Sequence, residues 1–93
     1  MKENLKTKVE ELLRLLDILL LEDKFIAYHH IKKIYIEFLK LLNEKKEVEK
    51  DDFSVIQNCM RIFLEAPSGN YELETKILDK MQEIYDIEDS IKK

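Results

Sequence analysis

One cysteine, one proline, one glycine and no tryptophan occur in 93 residues, with only two histidines. Each scarcity removes a class of chemistry. A single Cys59 cannot form an intramolecular disulfide, and no basic, apolar and small-residue leader follows Met1, so the expected setting is reducing and cytoplasmic. No glycine-rich phosphate loop, G-x-S-x-G, H-E-x-x-H or EF-hand loop is present. His29 and His30 are adjacent, so on a helix they diverge by about 100° and do not converge on one ion. Cys59 has Asn58, Met60 and Ile62 as neighbours, which offer neither a base nor positive charge, and reads as a buried structural thiol. The chain is expected not to be an enzyme and to need no cofactor or metal. The longest apolar stretch, Leu12 to Leu21, contains Arg14 and Asp17 and falls short of the roughly 20 residues that span a bilayer, so no membrane role is expected.

What the chain does contain is apolar residues at helical spacing. Run one covers about residues 4–21. Leu5, Val9, Leu12, Leu13, Leu15, Leu16, Leu19 and Leu20 fill an arc of about 160°, suited to a helix touching two neighbours. Ile18 and Leu21 fall outside it and mark loop cover or an intermolecular contact. Thr7 and Glu10 fit a capping box. Asp23 is placed to cap run two, about 24–43, whose stripe is Ala27, Tyr28, Ile31, Ile34, Tyr35, Phe38, Leu41 and Leu42. The short break predicts an antiparallel hairpin. Asn43 to Asp52 is nearly all charge and reads as a frayed helix end and solvated loop. Asp51 or Asp52 caps run three, about 52–65, with Phe53, Ile56, Met60, Phe63 and Leu64 inward. Ala66-Pro67-Ser68-Gly69-Asn70 is a turn. Run four, about 71–88, uses Leu73, Ile77, Met81, Ile84 and Ile91, with Leu78 and Tyr85 at its edges. The expected fold is therefore one all-α domain over 1–93, a small antiparallel bundle of four helices. The Asp23-Lys24-Phe25-x-Ala27 turn is similar to the turn inside a tetratricopeptide repeat, but the rest of that pattern is absent.

Charge is unevenly distributed. The net charge is −4. Residues 22–46 carry +2, whereas 47–70 and 71–93 carry −3 each. On run four, Glu72, Asp79, Glu83 and Asp86 lie within about 60° of one another, opposite the apolar stripe. On run two, His29, Lys33 and Lys40 share a face with Ile36, flanked by Phe25 and Ile26. Lys32, Lys33, Lys40, Lys45 and Lys46 are the only support for nucleic-acid binding, and the acidic balance opposes it. Ser68-Gly69-Asn70 before a helix start fits an anion site, but Glu72 and Glu74 already complement the helix dipole there, which favours turn and cap chemistry.

In size, acidity and four-helix layout the chain resembles the helical immunity proteins of bacterial toxin systems. The resemblance is one of architecture and charge. The tyrosine pair of the colicin DNase immunity proteins is not matched, since the turn ends in the single Tyr71. It implies a bacterial, cytoplasmic inhibitor that binds a basic toxin domain. The residues expected to do so are Tyr71 as aromatic anchor and Glu72, Asp79, Glu83 and Asp86 as the complementary field. The alternative is a self-associating helical adaptor or regulatory subunit, forming a homodimer through Ile18, Leu21 and Ile36.

Overall fold

A computed structural model of the protein describes residues 2–22, 26–65 and 69–91. The described chain is all-α: α1 (Lys2–Glu22), α2 (Ile26–Glu44), a 3-10 helix (Lys50–Ile56), α3 (Cys59–Leu64) and α4 (Tyr71–Ser90). The cap expected from Asp23, the Asp23-Lys24-Phe25 turn and Ala66-Pro67-Ser68 lie outside the described residues.

The apolar spacing decides the packing. Leu5, Val9, Leu12, Leu16 and Leu19 repeat every three or four residues, so they share one face of α1 and are fully buried. The same spacing buries Tyr28, Ile31, Tyr35, Phe38 and Leu42 on α2, and Leu73, Ile77, Met81 and Ile84 on α4. All join one core cluster, with no charged residue buried among the described residues. α1 packs against α2 and α4, and α2 packs against the 3-10 helix and α3. Tyr28 meets Phe63 with ring centroids 5.6 Å apart, and Phe38 meets Phe53 at 5.4 Å. The helices thus form a ring in which α2 and α4 occupy opposite corners. Each is antiparallel to α1, so α2 and α4 run the same way.

The third run departs from expectation. It is not one α-helix over 52–65. A 3-10 segment carries Phe53 and Ile56 inward, a turn at Gln57-Asn58 follows, and six residues of α-helix complete it. A 3-10 helix has three residues per turn, so its inward line continues from Phe53 and Ile56 to Cys59. Cys59 is therefore buried at 1%, Met60 is only partly buried, and Leu64 is exposed at 60%. Phe63 follows Cys59 by one α-helical turn and is buried.

Two capping expectations also change. Thr7 lies inside α1, and its hydroxyl donates to the Glu3 carbonyl at 3.0 Å. It is not an N-cap, because the helix already runs from Lys2. Asp52 is not the N-cap of run three. It sits three residues in and reaches back to accept from the Glu49 N–H at 2.9 Å. Its carboxylate also accepts from the Lys45 ammonium at 2.8 Å, and Lys2 donates to the Lys45 carbonyl. The charged stretch after α2 is thus tied down by its own opposite charges rather than simply solvated. Burial opposes ionisation of Asp52, but the Lys45 bond and the Glu49 N–H outweigh it and hold the carboxyl below its ordinary value.

Candidate functional site

The turn before α4 sets the position of its first residues. Gly69 takes φ +85°, a left-handed conformation that glycine adopts without steric cost. Asn70 then caps the helix, its side-chain oxygen accepting from the Leu73 N–H at 3.1 Å. The Glu74 carboxylate accepts from the Gly69 N–H at 3.1 Å. Side chains engage the Leu73 and Gly69 N–H groups, which favours turn and cap chemistry here. Ser68 lies outside the described residues.

Tyr71 follows as the first residue of α4, with 83% of its surface in water. Glu72, beside it, is exposed and 3.7 Å from Lys76. One and two heptads further on, Asp79 and Asp86 are exposed on the same outward face. Asp79 makes no ion pair among the described residues, and Asp86 accepts from the Gln82 amide at 3.0 Å.

Glu83 does something different from its three companions. It turns toward α1, where the Lys8 ammonium donates to it at 2.5 Å, and Lys80 approaches its other oxygen at 3.6 Å. Lys80 in turn meets Glu11 at 2.6 Å. These four groups alternate in sign across the α1–α4 contact. The hydrogen bond from Lys8 holds the Glu83 carboxyl below its ordinary value, and the bond from Lys80 does the same for Glu11. The acidic ridge is thus three outward carboxylates and one that joins two helices.

Between α1 and α4 the same ion pairs edge an open groove of about 460 Å³, lined by Leu15, Glu11, Arg14, Lys76 and Asp79 together with Lys80 and Glu83. The α1 residues were not part of the sequence-derived site. Leu15 at the edge of the apolar arc was the one signal that this side of α1 faces another helix.

At the end of the bundle where α1 stops and α2 starts, Leu21 and Ile26 are exposed at 84% and 85%. Leu64, the last residue of α3, and Tyr71 belong to the same end, and Ile18 is exposed one turn below Leu21. Ile36 is exposed with His29, Lys33 and Lys40 on the outward face of α2. No group of three or more His, Cys, Asp or Glu is arranged to hold a metal among the described residues, and none of their helices is long and apolar enough to cross a membrane. Burial pushes the Cys59 thiol up to about 11, which keeps it protonated and unreactive near neutral pH. Compared with models of known protein families, with curated proteins and with solved structures, the chain matches none.

Proposed function

We propose that this chain is a binding protein of the inhibitor kind, an immunity protein that neutralises a cognate bacterial toxin by direct contact in the cytoplasm. The observation that carries the reading is the start and outward face of α4. A tyrosine almost wholly in water stands next to Glu72, above Asp79 and Asp86. An exposed aromatic ring beside carboxylates is the composition that anchors a partner by burial and selects a basic one by field. Tyr71 is the anchor in this reading, and Glu72, Asp79 and Asp86 supply the charge. Glu83 contributes by joining α4 to α1 rather than by touching the partner.

The test is capture of a partner from a bacterial lysate with the purified protein, washed at rising salt, followed by co-expression of the captured protein. The expected result is one basic protein whose toxicity the chain suppresses, released by salt. Tyr71→Ala should weaken its binding by tenfold or more, about 1.4 kcal/mol. Asp79→Asn with Asp86→Asn should slow association and flatten the salt dependence. Binding that ignores both variants would reject this surface. A second reading, an adaptor that self-associates through apolar contacts, is favoured by Leu21 and Ile26, both more than four-fifths exposed.

A further inference from the structure

The outward faces of α2 and α4 carry opposite charge at the same spacing. On α2, Ile26, Lys33 and Lys40 recur at seven residues, with His29 and Ile36 beside them, and all five are exposed. Neither lysine makes an ion pair among the described residues, and two exposed acids, Glu37 and Glu44, each one turn beyond a lysine, flank the strip along one side. On α4, Glu72, Asp79 and Asp86 also recur at seven residues and are exposed. A seven-residue repeat drifts only about 20° per step around a straight helix, so each trio stays on one stripe, its members about 10 Å apart.

The two stripes point away from each other, from opposite corners of one bundle, so a single copy cannot pair them. Two copies can. α2 and α4 are parallel, so moving one bundle sideways, almost without rotation, lays the α2 stripe of one along the α4 stripe of the next. The cross-links to α1 fix the heights: Lys32 meets Asp17, and Lys80 meets Glu11. These set Lys33 level with Asp79 to within about one helical turn. We propose that copies of this chain associate head to tail, with the outward α2 face of one on the outward α4 face of the next, pairing Lys33 with Asp79 and Lys40 with Asp86. Ile26 then comes to the level of Tyr71 and Glu72, which gives the contact an apolar end. The arrangement is heterologous, so each added copy leaves one face of each sign free and the row continues. Symmetric pairing through either stripe sets like charges against each other and is disfavoured. The proposal requires only a second copy and does not rest on a toxin partner, although it covers the same α4 carboxylates.

Exposed ion pairs contribute little singly and are screened by salt, so the association is weak and strongest at low ionic strength. The experiment is sedimentation velocity over a dilution series of the wild type, of Lys33→Glu/Lys40→Glu and of Asp79→Lys/Asp86→Lys. Circular dichroism reports on the fold of each. The expected wild-type mass rises with concentration in low salt and returns to monomer in about 0.5 M salt, where the screening length falls below about 5 Å. Each charge-reversed variant stays monomeric alone. Mixed, they associate again, because the reversed faces fit each other and so do the native ones. A wild type that is monomeric throughout the series overturns the proposal. So does self-association that survives high salt and both reversals, which would assign the contact to Leu21, Leu64 and the apolar end. So does a mixture of folded variants that fails to recover assembly.

Discussion

Tyr35 and Tyr85 both reach the core, and their hydroxyls meet different fates. Tyr85 donates to the Ile56 carbonyl at 2.8 Å, satisfying an oxygen at the end of the 3-10 helix. Tyr35 is fully buried, and its hydroxyl has no hydrogen-bond partner of acceptable geometry, although Tyr85 and Cys59 lie close enough to add to the upward shift that burial imposes on it. An unpartnered buried hydroxyl costs its full desolvation, whereas a made bond contributes about 1 kcal/mol net. Tyr35→Phe is therefore expected to match or exceed wild-type stability, and Tyr85→Phe to lose about 1 kcal/mol. Urea unfolding of the two variants checks this, and equal losses in both would contradict it. Tyr71 is the counterexample among the tyrosines: its ring contributes little to the fold because most of it remains in water.

The helices differ in how they are started and stopped, and α4 has the most clearly defined start. Asn70→Ala removes the acceptor for the Leu73 N–H and should cost about 1 kcal/mol. Gly69→Ala meets nothing within 4 Å of the added carbon, so its expected cost of about 1 kcal/mol is wholly that of holding alanine at φ +85°. Each should lower the melting temperature by about 4–8 °C. Calorimetry reads both, and a Gly69→Ala variant as stable as wild type would mean that the turn relaxes. The stripes of α1, α2 and α4 were legible in the sequence because each runs for four or more turns, long enough for the 3.6-residue period to declare itself. The third run was not, because Phe53 and Ile56 fit three residues per turn as well as 3.6. Only the next inward position separates the two periods: Cys59 for one, Met60 for the other. Gln57 and Asn58 also lack the glycine or proline that marked the following turn. Within the candidate site, the outward direction of Glu72, Asp79 and Asp86 was legible from their angle to the apolar stripe. The inward use of Glu83 was not, since its partner Lys8 is 75 residues away and nothing on α4 alone says which edge faces α1.

For the molecule as a whole, the perturbed carboxyls set the response to acid. Glu11, Asp52 and Glu83 all sit below their ordinary values in the fold. A carboxyl of that kind binds protons less readily folded than unfolded, so its stabilisation is fully present above the unfolded value and disappears as pH falls through the folded one. Stability should be nearly level from neutral pH to about 5 and decline below about 4. Glu83→Gln should lower the plateau slightly and flatten part of the decline, since these groups are largely solvated and individually modest. Melting curves across pH would test this, and an unchanged acid limb in the variant would remove Glu83 from the account. The ring of helices has one further consequence, in the order of its assembly. Every packed pair but one joins elements that are adjacent in the chain or separated by a single short element. The exception is α1 with α4, the seam carrying Lys8, Glu11, Lys80 and Glu83. Closing it demands the largest loss of chain entropy, so it should close after the α1–α2 hairpin has formed. Interactions made after the rate-limiting step leave the folding rate alone and act on escape from the native state. Stopped-flow kinetics on Glu83→Gln should accordingly show faster unfolding with unchanged refolding, which would make this charged seam the latch that sets the lifetime of the folded protein.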